Sequence, residues 1–120
     1  DLAMLIYNCR MAGIDVLAAT HLDIAREGEP IKVCTHYIDG NGFSVPYQPG
    51  LEYQEGVVPQ YIELPGWDGQ AAASTMILDE LPHAAKQFLA FIQRSTGYPI
   101  VAATIGPSRD NMIPFSGYER

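Results

Sequence analysis

Two short strings in this chain carry groups suited to holding a purine base: Thr20-His21-Leu22-Asp23 and Thr104-Ile105-Gly106-Pro107. An ionised aspartate only accepts hydrogen bonds. Its two oxygens can take the N1–H and the exocyclic N2–H of guanine together. Adenine does not offer that pair, because its N1 is an acceptor. His21, two residues before Asp23, can lay a flat side chain on the face of a base. Gly106 lacks a Cβ and lets backbone come close to a ring. T-x-L-D alone is a short string, and its plain alternative is that Asp23 caps the next turn while His21 is a surface residue.

Such groups need strands to deliver them. Ile14 to Thr20 is a short apolar run that reads as a buried strand ending at the first string. Tyr98 to Ala103 reads the same way and ends at the second. Ligands in sheets backed by helices often sit beyond the carboxyl ends of strands. If these two strands are neighbours, both loops face one pocket.

The remaining elements form a frame around them. Leu2, Leu5, Ile6 and Cys9 recur at helical spacing, with Asp1 at the start and Gly13 past the end. Ile31 to Ile38 predicts a strand with Ile31, Val33, Thr35 and Tyr37 on one face. Asp39-Gly40-Asn41-Gly42 then predicts a turn, and Phe43 to Val45 the returning partner. Pro46 to Gly56 reads as loop and Val57 to Leu64 as a third strand. Residues 68–79 are consistent with a short helix or a mobile loop. Leu81, Ala84, Ala85, Phe88, Leu89 and Ile92 mark a clear helix, opened by Pro82 and closed by Gly97. Pro114 to Arg120 reads as a tail. The expected class is α+β, a small mixed sheet with a β-hairpin and two main helices, in a single domain over residues 1–120.

Composition narrows the function classes. With 48% hydrophobic residues the chain can bury a core. Seven basic against 14 acidic residues leave a net charge of -7, which argues against a general nucleic-acid surface. No apolar run reaches the length of a membrane span. Cys9 and Cys34 lack metal-ligand spacing and read as buried free thiols. His36 and His83 have no second ligand at metal spacing either, so no metal site is expected. Trp67, behind Pro65-Gly66, reads more readily as loop packing than as a stacking surface. Tyr37, Tyr47, Tyr53 and Tyr61 read as hairpin and loop packing. The chain opens at Asp1 without Met, already at a helix start, so it reads as a segment of a longer polypeptide.

Taken together, these residues resemble the carboxy-terminal part of adenylosuccinate synthetases. The resemblance runs from the Asp1-Leu2 helix through Gly13-Ile14, Thr20-x-Leu22-Asp23 and Ile31-Lys32-Val33-Cys34. It continues through Tyr61-x-Glu63-Leu64-Pro65-Gly66-Trp67, Leu81-Pro82 and Gly106-Pro107-x-Arg109, to about Ile113. In that family GTP phosphorylates the 6-oxygen of IMP, with Mg²⁺, and L-aspartate displaces the phosphate on the pathway to AMP. The family's T-K-L-D and S-x-G-P motifs hold the guanine of GTP. Carried over, they make His21, Leu22, Asp23, Thr104, Ile105 and Gly106 the nucleotide-binding residues. Arg109, two residues beyond the second motif, is expected to order the Gly106-Pro107 turn or to meet a nearby carboxylate, a structural role in preference to a functional one. The phosphate loop, the catalytic aspartate and histidine, the Mg²⁺ site and most of the IMP site fall in the amino-terminal part. The isolated segment, with no catalytic residue of its own, is therefore expected to be inactive.

Two positions depart from the family pattern. His21 stands where the motif has lysine, and Thr104 where it has serine. Lysine can place a cation near the guanine 6-oxygen and lay its stem on the ring. A histidine is shorter and lacks that standing charge. Asp23 can also take one hydrogen bond from the N6 amine of adenine. The resemblance extends to viral 2-aminoadenylosuccinate synthetases, which act on dGMP and can use ATP. It leaves open GTP or ATP as donor and IMP or dGMP as acceptor. It further implies a cytoplasmic homodimer, with no nucleic-acid or membrane partner. A reading from another class is a stand-alone, non-catalytic nucleotide-binding or interaction module. A G-D-E-G-K-G loop upstream would decide for the ligase.

Overall fold

The structure, a computed structural model, describes residues 1–115, apart from the side chain of Arg109. In chain order the elements are α1 (Leu2–Ala12), β1 (Leu17–Ala19), β2 (Ile31–Ile38), β3 (Ser44–Val45), β4 (Val58–Leu64), α2 (Gly69–Ala73), α3 (His83–Thr96), β5 (Ile100–Thr104) and β6 (Met112–Pro114). Single 3-10 turns lie at Leu22–Ile24, Leu51–Tyr53, Leu78–Glu80 and Arg109–Asn111. The class is α+β, with the strands divided between two three-stranded sheets. The chain forms two compact units. One comprises Asp1–Ile14 and Lys32–Leu64, the other Asp15–Ile31 and Pro65 onward.

In the first unit, the Asp1 carboxylate accepts from the Met4 amide at 3.0 Å and caps α1. At the other end Gly13 adopts φ 68° and its N–H closes on the Cys9 carbonyl, as a left-handed C-cap requires. The hairpin forms as expected, with Tyr37 opposite Val45 and Ile38 opposite Ser44. Its turn is tied by Asp39, whose Oδ1 accepts from the amides of Asn41 at 2.9 Å and Phe43 at 3.0 Å. β2 lies between β3 and β4. Cys34, Tyr37 and Leu51 make the core of this unit, with Val45, Tyr47 and Val57 packed against it. Leu51 comes from the stretch read as loop. Gly50, at φ 87°, turns it inward on a 3-10 turn.

Tyr37 donates its hydroxyl to the Asp1 carboxylate. Burial above all, with Cys34 and Glu52 close by, raises its pKa from 10.0 to about 12. Between those values the folded protein keeps a proton that the unfolded chain releases. The stability that Tyr37 contributes is therefore complete below pH 10.0 and is lost as pH rises through about 12. Denaturation midpoints followed over that window should fall more steeply for the native protein than for Tyr37→Phe. Equal slopes would contradict this assignment.

In the second unit, β5 is the central strand of the order β1-β5-β6. β1 runs parallel to β5, with Ala18 opposite Ala102 and Ala19 opposite Ala103, after an irregularity between Leu17 and Ala18. β6 runs antiparallel, with Ala103 opposite Ile113. The core gathers Leu22, Trp67, Ala72, Leu81, Ala85, Leu89, Ile100, Ala103, Ile105, Ile113 and Phe115. α3 contributes the expected stripe and ends at Gly97, φ 77°, whose N–H bonds Gln93.

Two expectations change here, and one left open is settled. The buried strand over Ile14 to Thr20 shrinks to three residues at a sheet edge, and Val16 remains 42% exposed. Residues 69–73 form a helix, because the Asp68 carboxylate accepts from the amides of Gln70 and Ala71. The expected tail begins instead as β6, while residues 116–120 lie outside the described residues.

Candidate functional site

Asp23 owes its position to a strained turn. β1 ends at Ala19, and His21 then takes φ 62° and ψ 42°. It is the one non-glycine residue with positive φ among the described residues. Histidine is among the residue types enriched in this region, yet the conformation still costs energy and needs neighbours to hold it. Two bonds do so. The His21 amide donates to Thr104 Oγ1 at 2.9 Å, and the His21 carbonyl accepts from the Ile24 amide at 3.2 Å. Leu22, only 2% exposed, plugs into the core behind the turn. His21 itself is exposed.

The bond from His21 to Thr104 links the two strings directly, since Thr104 is the last residue of β5. β1 and β5 are parallel neighbours, so both loops leave the same edge of one sheet. The two apolar runs are therefore neighbouring strands, as foreseen.

On the first of these loops one group is left unsatisfied. Asp23 Oδ1 is buried and finds no hydrogen-bond partner among the described residues. A buried carboxylate oxygen without a donor is costly, and native proteins retain few of them. That oxygen is an acceptor the fold itself leaves unused.

The second loop is shaped by a residue the sequence reading missed. Asn111 Oδ1 accepts from the Ser108 amide at 3.0 Å, and its carbonyl accepts from the Ile105 amide at 2.8 Å. A Cβ on Gly106 would lie 2.6 Å from Asn111 Oδ1. A side chain at 106 would therefore displace the Asn111 amide that ties this loop. The available signal was the Ser108-x-x-Asn111 spacing, since asparagine side chains readily bond backbone amides a few residues away. Ile105 is buried and anchors the loop, while Pro107 is exposed beside it. The side chain of Arg109, expected to order this turn, lies outside the described residues.

Trp67 is a packing residue. It is 4% exposed and meets the Phe88 ring at 5.4 Å, and its indole N–H donates to the Leu22 carbonyl at 2.7 Å. A groove of about 320 Å³ lies alongside, lined by His21, Leu22, Arg26, Glu29, Trp67 and Phe88 among others. Asp23 and the second loop do not line it, so it is not the space in front of the carboxylate. His36 bonds its neighbour Thr35 at 2.9 Å, and His83 sits exposed at the start of α3. Cys9 and Cys34 are buried free thiols. Among the described residues no three His, Cys, Asp or Glu side chains converge to hold a metal ion. No helix of the described residues is long and apolar enough to cross a membrane.

Comparison with known proteins shows which family the chain resembles. A family model described as adenylosuccinate synthetase matches residues 1–113. The adenylosuccinate synthetase of Geotalea daltonii is 33% identical over 113 residues, covering 94% of this chain and 26% of that protein. That of Salinibacter ruber is 38% identical over 115 residues, covering 94% of this chain and 26% of its own length. The fully ligated adenylosuccinate synthetase of Plasmodium falciparum superposes with a TM-score of 0.85 at 30% identity, over 95% of this chain and 28% of that one. This chain therefore spans about a quarter of the length of the relatives it matches.

Proposed function

This chain belongs to the adenylosuccinate synthetase family, and on that premise we propose that it is the carboxy-terminal domain of a ligase. The whole enzyme joins L-aspartate to a 6-oxopurine nucleotide, IMP or dGMP, at the expense of GTP or ATP. This segment holds the base of the donor nucleotide. The observation that carries the reading is the buried, unpartnered Asp23 Oδ1, set on a loop bonded to the end of β5.

Each residue then has a definable task. Asp23 accepts from the N1–H and N2–H of guanine, which removes the cost of its lone oxygen. His21, exposed on its left-handed turn, covers one face of the ring. Thr104, Ile105 and Gly106 form the opposing wall, with Gly106-Pro107 nearest the base. Leu22 anchors the reader loop in the core. The segment carries no acid, base or nucleophile of the reaction, and alone it turns nothing over. The Mg²⁺ that accompanies the donor phosphates finds no ligand set among the described residues, and we assign it to the part of the enzyme upstream. A cytoplasmic homodimer is part of the same proposal.

His21 bears on nucleotide choice. Without the motif lysine, the 6-oxygen of guanine loses a charged partner, and the margin over adenine narrows. The full-length enzyme is expected to use ATP with kcat/KM within about tenfold of GTP, the worth of one hydrogen bond. Steady-state kinetics with each donor varied at saturating acceptor and aspartate measures this. A GTP preference of about a thousandfold, three times that energy, would overturn the role given to His21.

A further inference from the structure

We propose that Trp67 and Gly69 are positioning residues that aim the Asp23 carboxylate by fixing the peptide plane on either side of it. The proposal rests on the reading of Asp23 as the acceptor for the donor base. The preceding plane is that of the Leu22–Asp23 peptide, and its carbonyl receives the Trp67 indole N–H at 2.7 Å in a fully buried bond. The following plane is that of the Asp23–Ile24 peptide. Gly69 packs so tightly on its carbonyl that a Cβ at Gly69 would overlap the Asp23 oxygen and lie 2.5 Å from the Ala25 oxygen. The Gly69 amide donates to that same Ala25 oxygen at 3.0 Å.

The segment is itself immobilised. Trp67 rests on Phe88 of α3. Asp68 caps α2, and Ala72 on that helix is wholly buried. Gly66 supports the same loop further on, since a Cβ there would overlap the Glu29 oxygen and lie 2.6 Å from the Arg26 oxygen. Two glycines and one indole N–H therefore meet the backbone of residues 22–29 where side chains have no room. This is more support than a surface loop needs. It is what a left-handed turn at His21 needs in order to present a carboxylate in one orientation.

The test is steady-state kinetics of the full-length enzyme carrying Trp67→Phe, which keeps an aromatic ring against Phe88 and removes the N–H. The donor-nucleotide KM should rise about 5- to 10-fold, the worth of one hydrogen bond, with kcat and the KM for L-aspartate within about twofold. In an Asp23→Ala background the same substitution should add nothing to the donor KM, because the residue it aims is gone. If Trp67→Phe does not accumulate folded, benzothienylalanine at position 67 keeps the bicyclic ring and lacks the N–H, and the same shift is expected. An unchanged donor KM, a parallel loss for all substrates, or a full additive effect on Asp23→Ala would each overturn the positioning role. An Asp23→Ala enzyme with native donor KM would instead overturn the base-site reading, and this proposal with it.

Discussion

Replacing Asp23 by alanine is expected to raise the KM for the donor nucleotide by about 10- to 100-fold, the range for hydrogen bonds to a charged group. The KM values for L-aspartate and the acceptor nucleotide should stay within about twofold. Both expectations follow from a carboxylate with one buried oxygen lacking a partner, on a loop bonded to the end of β5. Stability should move the other way. The native fold bears the cost of a buried, unpaired acceptor, and alanine removes it. Thermal denaturation of Asp23→Ala should therefore show a melting temperature equal to or above that of the native protein. Binding lost while stability is kept or gained is the pattern of a residue retained for its ligand. Equal losses for donor and acceptor, or a lowered melting temperature, would mean that Asp23 is not a base reader.

Ile113→Ala should have the largest effect on folding, about 2–5 kcal/mol, as expected for truncating a large aliphatic side chain in a closed core. Ile113 is 1% exposed and packs in one core with Leu89, Ile100, Ala103 and Phe115. It also carries β6 onto β5 through its pairing with Ala103. The chain has a single tryptophan, and Trp67 lies in that same core, so urea denaturation followed by its fluorescence reports the right unit. The neighbouring Met112, 55% exposed, serves as the control, and Met112→Ala should cost no more than about 0.5 kcal/mol. A similar small cost for both would show that β6 does not seal the core.

Local rules made much of this fold legible. Asp1 and Gly13 bound α1, Pro82 and Gly97 bound α3, and Asp39 to Gly42 turn the hairpin, because capping and turn chemistry act within a few residues. Partnerships set by the whole fold were harder to read. Val16 looks like a core residue, but β1 lies at a sheet edge and leaves it half exposed. Pro114 looks like the start of a tail until β5 offers it and the two residues before it an edge to pair with. Leu51 sits among turn formers, and nothing local shows that it fills a core.

The candidate site divides along the same line. Both strings were visible as residue types behind apolar runs, and the parallel pairing of β1 with β5 brings their loops together. The left-handed turn at His21 was not legible, because no glycine or asparagine marks it. It depends on Thr104, 83 positions away in sequence. The bond from Trp67 to Leu22 spans 45 positions and likewise appears only in three dimensions.

The most direct measurement is a crystal structure of the full-length enzyme with a non-hydrolysable GTP analogue. The guanine should lie between His21 and the Gly106-Pro107 turn, with both Asp23 carboxylate oxygens at hydrogen-bond distance from N1 and N2. A base bound away from these loops, with Asp23 still lacking a partner, would contradict this.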